Sequence, residues 1–374
     1  MRYLLLIFMA CTSFTALAHK PSDSYLAMSV DGNEIRGHWD IALRDLEYAL
    51  GLDANDDGQI IWRELRQRQA AVFAYAFNRL KITADQQHCA LQPLTMMVDE
   101  HSDGRYAVLN FQAACRPGVK QLEIGYQLFF DLDPQHRGLL TIHNGTYTGT
   151  SIFSPAQPQQ TFALNSVSHP GRELLNFAYE GVWHIWQGFD HILFLLSLLL
   201  PAALYHEHEE WRAKQNHILV FWDALQVVTA FTLAHSITLS LTALQYIALP
   251  SRWVESAIAA SVICAALNNI YPVLSRHRTW LAFGFGLIHG MGIASVLLDM
   301  GLPASQRVLS LLGFNLGVEA GQLLIVAVAL PLIVVFSRSR YYPALVLKLA
   351  SASIAMIALV WLVERSLDFQ IKIG

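Results

Sequence analysis

Gly181-Val182-Trp183-His184-Ile185-Trp186-Gln187-Gly188-Phe189-Asp190-His191 runs directly into the apolar stretch Ile192 to Leu204. Two histidines and an aspartate therefore stand where the chain begins to enter a bilayer. Ionisable side chains at that depth are costly and are kept for function. On one helix His184, Gly188 and His191 fall at i, i+4 and i+7, so both imidazoles share a stripe, with Asp190 beside it. The glycine between them admits a close neighbouring helix. Imidazoles with a carboxylate suit nickel, cobalt, zinc or copper, whereas magnesium and calcium prefer all-oxygen shells. The stretch reads as a transition-metal site inside a membrane.

The composition agrees with a membrane protein. Of 374 residues 54% are hydrophobic and 14% charged, and the apolar excess lies after about residue 175. Six stretches have spanning length: about 182–204, 218–243, 253–274, 280–299, 307–336 and 342–363. With the N-terminal part outside, the loops holding Arg212/Lys214, Arg276/Arg278 and Arg338/Arg340 all fall inside, and the outer loops contribute Arg252 and Arg307. That alternation follows the positive-inside rule and places both ends outside. The net charge of −4 has no basic stripe, which argues against a nucleic-acid partner.

Met1-Arg2-Tyr3, the apolar Leu4 to Ala10 and Ala16-Leu17-Ala18 form a secretory signal over residues 1–18, leaving His19 as the mature N-terminus. Residues 19–172 then read as an exported, periplasmic, mainly-β domain, and 173–374 as the membrane domain of an inner-membrane protein. Tyr25 to Val30, Tyr106 to Phe111 and Gln121 to Phe129 alternate like strands, and Asp31-Gly32, Asp103-Gly104 and Asn144-Gly145 mark turns. Cys89 and Cys115 are the cysteines of the exported region, and an even pair there suggests a disulfide. Closing a loop of about 25 residues contributes roughly 3 kcal/mol in the chain-entropy model.

A helical insert from about Asp40 to Leu80 contains Asp53-Ala54-Asn55-Asp56-Asp57-Gly58-Gln59-Ile60-Ile61-Trp62-Arg63-Glu64, which fits the twelve-residue EF-hand pattern. Asp53, Asn55 and Asp57 would supply side-chain oxygens, Gln59 its carbonyl and Glu64 a carboxylate, predicting bound calcium at modest affinity.

Further polar residues interrupt the other apolar stretches: His235-Ser236, Glu255, Asn268-Asn269, His289-Gly290, and Asn315, Glu319 and Gln322 on one helical face. With the N-terminus outside, Asp190/His191, His235, His289 and Glu319 map to similar depths, and His184 and Glu255 lie nearer the outer surface. This predicts one shared site drawing on His184, Asp190, His191, His235, His289, Asn315 and Glu319. Gly284, Gly286, Gly290, Gly292, Gly313, Gly317 and Gly321 suit close helix packing around it. Two weaker candidates lie apart: the inner Tyr205-His206-Glu207-His208-Glu209-Glu210, which reads first as a solvated loop, and an N-terminal His19 chelate.

The His184-x5-Asp190-His191 signature, His289-Gly290 and Phe314-Asn315-Leu316-Gly317-Val318-Glu319 resemble the HupE/UreJ family of nickel/cobalt permeases over about residues 180–364. The signal and exported domain resemble the longer branch of that family. The resemblance implies a six-helix permease with His184, Asp190, His191 and His289 in its metal path. Ile288 departs from the family's Phe, and Gly292, Ala294 and Val296 stand in place of an Ala-x-Gly-x-Glu continuation; Glu319 of the neighbouring helix is the candidate to replace that carboxylate, its alternative role being an interhelical hydrogen bond.

The expected function is therefore a non-enzymatic permease for nickel or cobalt. The alternatives are an intramembrane zinc hydrolase using His184, Asp190, His191, His235 and His289 with Ser236, and a calcium-responsive membrane sensor. Transport is favoured because no HExxH element is present and the candidate ligands are spread over many helices.

Overall fold

The computed structural model describes residues 23–367 apart from 33, 102–103, 116–117, 146, 165–169, 208–209, 248, 275–276 and 293–303. The signal segment, His19, His208, Ala294 and Val296 lie outside the described residues. The chain forms two compact units: a β unit drawn from Met1–Asp99, Tyr106–Leu140 and Thr150–Leu164, and a mainly helical unit of Asn165–Gly374 that also takes in Glu100–Arg105 and Thr141–Gly149.

In the β unit, strands β1 (Asp23–Asp31) and β2 (Glu34–Ala42) are followed by helices α1 (Leu43–Leu50), α2 (Trp62–Gln67) and α3 (Gln69–Phe77). Then come β3 (Leu80–Ala84), β4 (Gln87–His88), β5 (Ala90–His101), β6 (Gly104–Ala114), β7 (Gln121–Tyr126), β8 (Arg137–Asn144), β9 (Tyr147–Phe153) and β10 (Gln159–Ala163). One sheet has the order β5-β6-β2-β1-β8-β9, the other β10-β7-β3-β4. Alternation fixes their inner faces: Ile35, Trp39 and Ile41 of β2, and Leu122, Ile124 and Tyr126 of β7, are all fully buried. The Trp39 and Tyr126 rings meet at 5.5 Å across the core. Cys89 and Cys115 are joined by a disulfide.

The EF-hand expectation does not hold. Helices α1 and α2 are only 8 and 6 residues long, and the polar side chains between them are engaged by the loop's own backbone. Glu47 accepts from Leu52 N (2.5 Å) and Asp53 N (2.7 Å), and Asp53 from Asn55 N (3.2 Å) and Gly58 N (2.7 Å). Asp57 accepts from Gln59 N (2.8 Å) and Asn55 Nδ2 (2.9 Å), and Glu64 from Ala54 N (3.2 Å) and Ile61 N (3.0 Å). Among the described residues the carboxylates Asp53, Asp57 and Glu64 do not form a group of three close donor atoms. Alternating Asp and Asn followed by glycine also builds self-capped turns, and that is the structure formed here by Asp53, Asn55, Asp57, Gln59 and Glu64.

The helical unit contains α4 (Pro170–Gln187), α5 (Phe189–Leu199), a hairpin of β11 (Leu204–Glu207) and β12 (Glu210–Ala213), α6 (His217–Ala243), α7 (Ser251–Ile270), α8 (Arg278–His289) and α9 (Ala304–Ser337). A π-helical segment, Tyr342–Lys348, leads into α10 (Leu349–Leu367). The six-span expectation is corrected: four helices among the described residues are long and apolar enough to cross a membrane, namely His217–Ala243, Ser251–Ile270, Arg307–Ser337 and Tyr342–Leu367. The stretch 182–204 fails because Gly188 takes an extended conformation (φ −75°, ψ 91°) and separates α4 from α5. At about 1.5 Å per residue, the 11 residues of α5 fall well short of a hydrocarbon core of about 30 Å. The stretch 280–299 yields the 12-residue α8, and residues 293–299 lie outside the described region.

A helix that stops inside the unit leaves carbonyls to satisfy. Ser197 O accepts from Asn269 Nδ2 (2.8 Å), Leu198 O from Arg278, and Leu200 O from the Tyr342 hydroxyl (2.8 Å), so three other elements cap α5. Glycines bring the remaining helices together. A Cβ at Gly181, Gly313 or Gly317 would strike the backbone of the opposing helix in the α4/α9 pair, and one at Gly286 or Gly290 would strike α6 from α8.

A buried chain of hydrogen bonds crosses the β unit and carries a pH dependence. The Tyr126 hydroxyl lies 2.6 Å from both Ser24 Oγ and His136 Nε2, and Trp39 Nε1 donates to Ser24 Oγ (3.1 Å). Burial, aided by Arg137 and Arg44, lowers the His136 pKa to about 3. The folded protein keeps His136 neutral while the unfolded chain protonates near pH 6.5, so stability is full above that pH and falls towards pH 3. The expected loss at pH 5 is about 2 kcal/mol. Urea unfolding of the full chain, followed by near-UV circular dichroism at pH 7 and 5, should show a smaller loss for His136→Asn. Equal losses would place the acid sensitivity elsewhere.

Candidate metal centre

The break at Gly188 creates the centre. Because α4 ends at Gln187 and α5 begins at Phe189, His184 and His191 lie on two helices rather than one stripe, and their rings meet at 4.6 Å. Helix α6 adds His235, 6.5 Å from His191 between ring centres. Donor atoms of His184, His191 and His235 all lie within 4.8 Å of one another, the one such group of three or more among the described residues. His289, at the C-terminal end of α8, stands beside this trio with its ring 5.4 Å from His191.

Both nitrogens of His191, both of His235 and Nδ1 of His289 are buried without a hydrogen bond. Buried polar groups are normally satisfied, and orphans gathered on neighbouring side chains are what a ligand would complete. The Ser261 hydroxyl donates to Ile258 O (2.6 Å), so it accepts from His289 Nε2 at 2.8 Å. That bond puts the proton on Nε2 and leaves Nδ1 as the lone-pair nitrogen, the arrangement of a metal-binding imidazole oriented from behind. Phe194 and Phe231, both buried, pack on His289 at 4.8 and 5.3 Å and keep water from its flank.

Asp190 supplies the negative charge. Its Oδ1 lies 2.9 Å from His191 Nδ1, off the line of a hydrogen bond, and accepts from His191 N (2.9 Å). Its Oδ2 accepts from Arg365 at 3.2 Å. Asp190, His289 and Glu319 are therefore outside the trio although near its chemistry or its helices. On α9, Asn315 Oδ1 is buried without a partner beside Phe314, whose ring lies 5.3 Å from His184. Gln322 is tied to Thr232 of α6 at 2.7 Å. Glu319 is half-buried on the same helix.

The family model described as HupE / UreJ protein matches residues 159–365, more than half of the chain, and ends at Arg365 beside Asp190. The chain belongs to that family. No curated protein matches it. Two residues of this HupE/UreJ centre escaped the sequence reading. Ser261 looked like any small polar residue in an apolar helix. Arg365 closes a contact across 175 residues, for which local pattern holds no signal.

Gly188 tests the geometry of this HupE/UreJ site. A Cβ there would press on His191 Nδ1 (2.5 Å) and His184 O (3.0 Å). Gly188→Ala should keep the protein folded in detergent yet weaken transition-metal binding by roughly 10- to 100-fold, the range for disturbed ligand support. Competition against a chromophoric chelator measures this, and unchanged affinity would detach the helix break from the metal site.

Proposed function

We propose that the chain is a permease for a divalent transition-metal ion, nickel or cobalt, held in passage by His184, His191 and His235 with Asp190 and His289 alongside. The observation that carries this reading is the set of buried imidazole nitrogens without hydrogen bonds, converging where two short helices meet a spanning one. Interrupted helices in a membrane are tolerated where they line a polar path. Imidazole-rich sites favour nickel, cobalt, zinc and copper over calcium and magnesium.

Three neutral nitrogens and a carboxylate replace only part of a divalent ion's hydration shell, which suits an ion that must also leave. We read the β unit as exported to the periplasm and the helical unit as lying in the inner membrane, so that the ion moves between periplasm and cytoplasm. Transport is preferred to metal-assisted hydrolysis because the Asp190 carboxylate is held by Arg365 and the His191 backbone N–H rather than free to move a proton.

Reconstituted full-length protein should carry radiolabelled nickel or cobalt into liposomes. His235→Ala and His191→Ala should insert normally and lose at least about tenfold of that uptake, as loss of a ligand does. Wild-type uptake by both variants would refute the assignment.

A further inference from the structure

The ion pair between Asp190 and Arg365 joins the metal centre to the packing of two spanning helices. Arg365 lies near the C-terminal end of α10 with its side chain 25% exposed, and Asp190 is 16% exposed. Besides Asp190 Oδ2, the guanidinium donates to Glu255 O of α7 (3.3 Å) and sits 5.7 Å from the Trp361 ring centre. The neighbouring Ser366 accepts from Arg252 at its carbonyl and meets Ser256 at 3.3 Å. The end of α10 is thus fastened to the start of α7 by Ser366 and by Arg365, and Arg365 also holds Asp190.

Charge decides what this pair does. With neutral imidazoles, Asp190 and Arg365 compensate each other and the centre needs no ion to be tolerated in a low dielectric. A divalent cation at the trio brings two further positive charges against the same carboxylate. Keeping Arg365 in place would leave a buried cluster with a net double positive charge, and like charges a few ångströms apart repel strongly there. Arg365 has somewhere to go, because a long, partly exposed arginine at a helix end can swing its head towards water.

We propose that Arg365 is a resident counter-cation, which holds Asp190 while the centre carries no ion and is displaced when a divalent ion binds, so that ion capture loosens the end of α10 from α7. Arg365 is a positioning residue that competes with the ion and does not ligate it. This inference rests on the metal-binding part of the permease reading.

The test is nickel titration of the full-length protein in detergent, combined with hydrogen exchange over residues 361–367. Wild type should bind nickel and show faster exchange there once it is bound. Arg365→Gln should bind nickel about tenfold more tightly, within the usual range for coupled sites, and show fast exchange with or without the metal. Its uptake at saturating nickel should fall, because release slows. Equal or weaker binding by a folded Arg365→Gln would overturn the proposal and make Arg365 a clip that merely orients Asp190. Should that variant fail to fold, wild type decides alone: nickel binding with no rise in exchange overturns the displacement. No nickel binding by wild type would instead remove the metal reading and this inference with it.

Discussion

The helical unit depends on one interruption. At Gly188 the backbone leaves helical geometry, and a segment apolar enough to have continued as one spanning helix becomes two separate helices. From this follow the meeting of His184 and His191, the placement of Asp190 in the first turn of α5, and the need to cap the carbonyls at the other end of α5. In an apolar surrounding an uncapped carbonyl is expensive, so Asn269, Arg278 and Tyr342 are as much a consequence of the break as the histidines.

Close approach of helices makes the interruption usable. Glycines on α8 seat it against α6 and bring His289 beside His191, and those shared by α4 and α9 hold the piece carrying His184 against a long spanning helix. Without a hydrophobic driving force inside a bilayer, such packing and a few interhelical bonds supply the association. Thr232 with Gln322 and Ser261 with His289 are bonds of this kind. One difference is chemical: Gln322 ends in a satisfied pair, whereas His289 keeps a buried nitrogen without a partner.

The β unit shows how one polar pattern admits two structures. Asp53, Asn55, Asp57, Gly58 and Glu64 occupy the positions a calcium loop requires, yet their oxygens accept from backbone amides of the same loop. Both outcomes need Asp or Asn at alternate positions and a glycine that tolerates positive φ, and Gly58 has φ +78°. What separates them is whether the carboxylates converge, and convergence depends on how the flanking helices are held.

Much was legible locally. The apolar stretches 218–243, 253–274, 307–336 and 342–363 coincide closely with long helices, because about twenty apolar residues in a row leave few alternatives. Alternation marked β1, β6 and β7, since a strand with one buried face must repeat every second residue. Histidines and an aspartate at bilayer depth announced a site before any geometry was known, because such groups are too costly to be incidental. The sequence by itself therefore determined the membrane-embedded class, the paired cysteines and the chemical type of the centre. Tertiary structure alone decided that 182–204 breaks at Gly188, that His289 stands beside the trio, that the acidic loop closes on itself, and that Arg365 answers Asp190. Each of these depends on contacts between segments far apart in the chain, where packing and electrostatic compensation choose among conformations that local pattern leaves equally open.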